Sequence, residues 1–126
     1  MADSTRHLDW YDKAEKDLKG AQILFRYKGD NSLVAFHCQQ AIEKAFKGYI
    51  LKYSQQLIEG HSLTYLCKQA SKFDEKVNSF LKDCAFVNQF YIETRYPADL
   101  PTETSGEDAQ ECIKVAEKVI NHIARN

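Results

Sequence analysis

The sequence predicts an all-α protein: an antiparallel, up-and-down bundle of four long helices and one short one, forming a single domain over residues 1–126. Three observations carry that expectation. Apolar residues recur at spacings of three and four along most of the chain, which is the helical period. No segment alternates at the period of a strand, and no internal repeat is present. Both prolines fall in one segment, RYPADLPTETS from Arg95 to Ser105, so the long breaks in the pattern are few.

The first helix is expected from about Thr5 to Lys28, where Trp10, Ala14, Leu18, Ala21 and Phe25 form the buried stripe. Gly29, Asp30 and Asn31 interrupt it, and Asp30 or Asn31 can cap a second helix that starts at Ser32 and ends near Ser54. So short a turn makes the two helices antiparallel neighbours. Gly60 and His61 precede a short helix over about 62–73 with a narrow stripe of Leu63, Leu66, Cys67 and Ala70. A fourth helix over about 74–93 carries Val77, Phe80, Leu81, Cys84, Val87, Tyr91 and Ile92. Phe86 and Phe90 fall off that face, which points to a second partner surface such as another copy of the chain. Each proline pushes its predecessor out of the helical region, so 95–105 reads as a loop or irregular crossing. Thr104 with Glu107, or Ser105 with Asp108, then caps a last helix through Ala109, Cys112, Ile113, Ala116, Val119, Ile120 and Ile123.

The second helix is the most informative element. Val34, Cys38, Ala41, Ile42, Ala45, Phe46 and Tyr49 project on one face; His37, Gln40, Glu43, Lys44 and Lys47 gather on the other, where any function of this helix would sit. Lys44 and Lys47, with Gln40 a turn earlier, can converge on phosphate oxygens. The same residues also read as a solvated face on which Glu43 pairs with Lys47 at i, i+4. His37 reads as a hydrogen-bonded surface histidine. His61 is placed to cap the third helix or to anchor the Arg95 loop, and is otherwise the best available proton carrier. Arg95 leaves a helix C-terminus, where a cation is stabilised by the dipole, or contacts a phosphate, with Tyr96 stacking on a base. Trp10, Tyr11 and the aromatic residues of the fourth helix have helical spacing and read as packing residues.

Composition narrows the function classes. With 17 basic and 18 acidic side chains and a formal charge of −1, no global positive field attracts nucleic acid, and any such binding needs a local basic patch. The N-terminus lacks a signal-like apolar run and no stretch is long enough to span a membrane, so a cytoplasmic protein without membrane contact is expected. The four cysteines lie far apart without metal-ligand spacing and read as buried reduced thiols; neither a metal nor a cofactor is expected.

The run QQAIEKAFKGYIL in the second helix, GHSLTYL at the third, RYP after the fourth and the capped start TSGEDAQ of the last occur in an order that resembles the HEPN domain over essentially the whole chain. The resemblance implies a helical bundle, commonly a homodimer, often encoded with a small nucleotidyltransferase in two-gene modules of toxin–antitoxin type. It also marks Glu43, Lys44 and Lys47 as the expected positions of function. Many relatives of this kind are metal-independent ribonucleases carrying an Arg followed after four to six residues by His. Here the corresponding positions after Arg95 hold Leu100, Pro101 and Thr102. Arginine cannot exchange a proton near neutral pH, so Arg95 and Tyr96 make a binding pair rather than an acid–base pair. The reading is therefore a non-enzymatic domain that binds a nucleotide, a minimal nucleotidyltransferase partner, or both, through Gln40, Glu43, Lys44, Lys47, His61, Arg95 and Tyr96. The alternatives are an endoribonuclease toxin with an unconventional proton carrier such as His61, acting on RNA, and a pure protein-interaction module.

Overall fold

The computed structural model describes residues 3–91 and 103–125, and within them every regular element is helical. The elements are α1 (His7–Arg26), α2 (Asn31–Ser54), α3 (Leu63–Ala70), a 3-10 segment (Glu75–Phe80), α4 (Leu81–Asn88) and α5 (Gly106–Ile123). Ile92, Arg95, Tyr96 and the positions at which a histidine was sought after Arg95 lie outside the described residues.

Local chemistry sets the helix ends. Asp30 is the cap of α2, its carboxylate accepting from the Ser32 amide at 2.8 Å. Ser62 does the same for α3 through the Tyr65 amide, and Ser105 for α5 through the Asp108 amide at 3.0 Å, which selects Ser105 over Thr104. His61 therefore caps nothing: Ser62 occupies that position. Between α1 and α2 the chain reverses through Lys28, which adopts a left-handed φ of 60°, and the Gly29 amide closes on the Leu24 carbonyl at 2.6 Å.

The fourth helical stretch differs from the expected continuous helix. Asp74 accepts from the Lys76 amide and opens a 3-10 segment, in which three residues per turn align Val77 with Phe80, both buried. The α-helical period begins at Leu81 and places Cys84 and Val87 inward. A turn at Gln89 breaks the period again, and Phe90 ends up 3% exposed in the core with Phe86 packed edge-on against it at 5.4 Å. The aromatic surplus expected to face a second partner is thus largely used inside the monomer.

α2 is the central helix and packs against α1, α3, α4 and α5. Its seven predicted apolar residues are all buried, as are all seven predicted for α5. In α1 the buried stripe is Tyr11, Ala14, Leu18 and Ala21. Trp10 sits half-buried beside it, because its indole N–H finds an acceptor, the Ser4 carbonyl at 2.9 Å, only at the edge of the core. The four cysteines are buried and unpaired, and burial pushes the Cys112 thiol up to about 12.

One connection departs from strict up-and-down order. Residue 61 contacts residues 39 and 43 of α2, while Phe73 contacts Tyr49 and Tyr53, so α3 runs parallel to α2. The 55–62 segment must therefore run back along α2 by about 11 residues, or about 17 Å of helix axis, which eight extended residues span easily. This return carries His61 to the middle of α2. α1 is antiparallel to α2, with Asp17 against Lys44, and to α5, with Gln22 against Glu117 and Glu15 against Arg125, which leaves α2 and α5 parallel; the 74–88 stretch is antiparallel to α5, with Asp83 against Lys118 and Asp74 against His122.

α1 and α2 approach closely at Gly48, where an added Cβ would stand 2.8 Å from the Tyr11 ring and 2.9 Å from the Trp10 Cβ. Gly48→Ala should lower the unfolding free energy by about 1–3 kcal/mol, whereas Gly20→Ala, with nothing within 4 Å, should be neutral or stabilise by up to about 1 kcal/mol. Urea denaturation of the two variants checks the contrast. The Asp74 carboxylate is held below its usual range, first by the His122 hydrogen bond and then by the Lys76 amide. A depressed carboxylate contributes stability above its unfolded value, near 4, and loses it as pH falls through its folded value. Asp74→Asn should therefore flatten the decline of stability below about pH 4, measured by denaturant titration across the acid range.

Candidate functional site

The polar strip predicted for α2 does not face solvent as one surface. Glu43 and Lys47 are 5% and 8% exposed, and Gln39, which the periodicity did not single out, is fully buried. Each sits where α2 is covered by another element, so the charges must be satisfied inside the protein. The Glu43 carboxylate meets this need on both oxygens. Lys47 donates to Oε2 at 3.0 Å and Gln39 donates to Oε1 at 3.2 Å. The Nδ1 edge of His61 lies 3.1 Å from both oxygens. Gln39 also donates to the His61 carbonyl at 3.1 Å, and Gln40 donates to Gln39 Oε1 at 2.8 Å. Four of the predicted residues, Gln40, Glu43, Lys47 and His61, thus belong to one hydrogen-bonded cluster, with Gln39 at its centre.

Lys44 is separate. Its ammonium binds Asp17 of α1, which His37 also approaches through Nδ1 at 3.4 Å. Lys44 and Lys47 therefore do not converge on a shared anion position; each is committed to a carboxylate of its own. The expected Glu43–Lys47 pair is present, but as a buried ion pair rather than on a solvated face. His37 is a hydrogen-bonded histidine, as its position suggested.

His61 is the exposed member of the cluster, with 57% of its side chain accessible. One ring face stacks on Tyr91 at 5.3 Å and 16°, and Tyr91 in turn lies 6.4 Å from Phe36 at 24°. With Nδ1–H donated to a buried carboxylate, the imidazole is held in one tautomer and its Nε2 edge is left as an acceptor. That edge belongs to a residue lining a cleft of about 400 Å³, together with Lys47, Trp10, Ile58, Glu59 and Gly60. A cleft of about 560 Å³ that also includes Trp10 is lined by Lys44, Asp9, Asp12 and Lys13. Sequence reasoning missed Gln39, Trp10 and Tyr91 as members of the site. The one available signal was Gln39 itself, a polar residue among apolar positions beside Cys38. Among the described residues no group of three or more His, Cys, Asp or Glu side chains is arranged to hold a metal ion, and no helix is long and apolar enough to cross a membrane.

The all-helical bundle and the order of its helices agree with the resemblance drawn from the motifs, and the family model for the HEPN domain matches residues 7–126; the chain belongs to that family. It is 27% identical over 124 residues to the Methanocaldococcus jannaschii protein named "Putative toxin MJ1304", covering 88% of this chain and 81% of that one. Its structure is similar to that of TT1696 from Thermus thermophilus, with a TM-score of 0.81, 28% identity and coverage of 97% and 98% of the two chains. It is also similar to ST0689, an archaeal HEPN homologue, with a TM-score of 0.74, 28% identity and coverage of 95% and 96%.

The Glu43–Lys47 pair is a buried ion pair whose halves depend on each other. Lys47→Met should lower the unfolding free energy by about 3–5 kcal/mol by leaving the carboxylate without its ammonium, and Glu43→Leu with Lys47→Met should recover most of that loss. Denaturation of the two singles and the double gives the coupling; additive effects would show that the pair is not coupled.

Proposed function

We propose that this protein is the HEPN-type component of a toxin–antitoxin-like two-protein module, and that it acts by binding. Its ligand is a phosphate-bearing nucleotide held at the His61 cleft, and its protein partner is a small nucleotidyltransferase. One observation carries the ligand assignment: an exposed imidazole, fixed through Nδ1 by a buried carboxylate, lines a cleft together with an indole ring. Glu43 and Lys47 cancel, so protonation of His61 gives the cluster a net positive charge and turns Nε2 into a charge-assisted donor to a phosphate oxygen. Trp10 supplies an aromatic surface for a base, and Arg95 and Tyr96 are assigned to the same ligand from the sequence. The toxin named among the relatives and the family membership support the two-protein module. A homodimer of this chain is the assembly in which we place the site.

Trp10 is the single tryptophan of the chain, so its fluorescence reports on the cleft directly. Titration with nucleoside mono- and triphosphates should change Trp10 emission in the wild type, with the response lost in His61→Ala. Coexpression with a nucleotidyltransferase encoded beside this gene should yield a complex by mass. A silent Trp10 signal together with a monomer that ignores the coexpressed partner sinks the reading.

A second reading rests on the same imidazole. A buried carboxylate on Nδ1 is also what orients a histidine as a general base, and such a base could take the proton of an RNA 2′-hydroxyl without a metal. Among the described residues lining the cleft, His61 is the one imidazole, which favours binding over a complete acid–base pair. Cleavage of RNA in the presence of a chelator, absent in His61→Ala and strongly reduced in Glu43→Gln, would decide for the ribonuclease; RNA left intact by the wild type decides against it.

A further inference from the structure

Among the described residues Gln39 is the one polar side chain with no exposed surface at all, and its amide is committed on every side. Nε2 donates to the His61 carbonyl at 3.1 Å and to Glu43 Oε1 at 3.2 Å, while Oε1 accepts from Gln40 at 2.8 Å. A carbonyl and a carboxylate only accept, so the amide cannot be turned over: its oxygen would then face two oxygens. Gln40, partly exposed, braces this orientation from outside.

Gln39 and Glu43 stand one turn apart on α2, and His61 is held by the first through its main chain and by the second through its ring. The main-chain grip matters because of what flanks it. After His61 the chain is fixed, since Ser62 caps α3 and the Leu63 amide donates to Asn88 at 2.9 Å. Before it stands Gly60, with a φ of 108° that glycine adopts freely and open space around it. The ring itself is mostly exposed and shares the Glu43 carboxylate with Lys47 and Gln39. Glu43 alone therefore leaves the imidazole free to swing into water, and the bond from Gln39 to the His61 carbonyl removes that freedom. The consequence is chemical. Against an ionised carboxylate Nδ1 can only donate, so the neutral ring carries its proton on Nδ1, the form that an imidazole in water disfavours.

We infer that Gln39 is the positioning residue of this site. By holding the His61 carbonyl and the Glu43 carboxylate with the two hydrogens of one amide, it keeps the neutral imidazole in its Nδ1–H form and makes Nε2 the atom that gains and loses the second proton. Gln39 touches no ligand itself, because its side chain is enclosed and both polar atoms are bonded. Its bearing on function rests on the reading of His61 as the ligand-contacting imidazole; its hold on the ring does not. Gln40, expected from the sequence to meet the ligand, acts here through Gln39.

Nitrogen-15 chemical shifts of the histidine rings, read above the pH range in which histidine titrates, test this on the whole chain without any ligand. The His61 signals are those absent from His61→Asn. The wild type should show His61 in the Nδ1–H form. Gln39→Met, which keeps the length of the side chain and removes both donors, should lower the ratio of Nδ1–H to Nε2–H by about tenfold, the equivalent of one lost hydrogen bond, with the His37 signals unchanged. Cys38→Ala, a buried substitution in the same turn that leaves the donors in place, should keep the wild-type form, which separates positioning from loss of stability. If Gln39→Met does not fold, hydrogen exchange in the wild type decides: the Gln39 side-chain amide protons should exchange at least about tenfold more slowly than those of the exposed Gln56, and equal rates overturn the inference. The Trp10 response to nucleotide should weaken by about tenfold in Gln39→Met. A shifted ratio in Gln39→Met beside a Trp10 signal that is silent in the wild type keeps the positioning role and removes the cleft ligand, so the two failures are read separately. An Nε2–H form in the wild type, an unchanged ratio in Gln39→Met, or an equal shift in Cys38→Ala overturns the inference whatever Trp10 does.

Discussion

The carboxylate of Glu43 is the constraint on which the rest of the structure depends. A charge on the central helix, 5% exposed, is tolerated only if its lone pairs are occupied, and three side chains from two parts of the chain converge to do so. Lys47 and Gln39 come from α2 itself. His61 must be brought from outside, and the backward run of 55–62 accomplishes this. That return sets α3 parallel to α2, and α3 in turn positions the 3-10 segment and α4. The cluster and the topology are thus one arrangement viewed at two scales.

The same arrangement explains why the site is built from a buried part and an exposed part. Gln39, Glu43 and Lys47 are fixed by packing and by mutual hydrogen bonds, so their geometry does not depend on a ligand. His61 takes its orientation from them while remaining at the surface. A preorganised interior holding one accessible imidazole is economical in conformational entropy, since little is left to order when a ligand arrives. The exposed aromatic pair at the far end of α2 is likewise supported from beneath, by Tyr49 against Tyr53 and Phe73.

Much of the fold was legible in the sequence because helix formation and burial share one period. The stripes of α2 and α5 were read residue by residue, and the caps Asp30 and Ser105 were among the residues expected. The misses have physical causes. The 3-10 segment keeps the three-residue spacing of Val77 and Phe80 that an α-helix would also show, so spacing could not distinguish them. Phe90 is inward because a turn at Gln89 shifts its phase, and Trp10 gives way to Tyr11 because its indole N–H needs an acceptor at the core edge.

The sequence by itself determined that this chain is an all-α HEPN domain, that its second helix packs an apolar face against the first, and that Glu43, Lys47 and His61 are residues of interest, because periodicity, capping chemistry and motif order are local properties of the chain. Only the tertiary structure decided that Glu43 and Lys47 are buried, that Lys44 belongs to Asp17, and that His61 meets Glu43 rather than capping α3. Those outcomes depend on which helices cover α2 and on the direction of a loop, and neither is encoded in the period of any single helix.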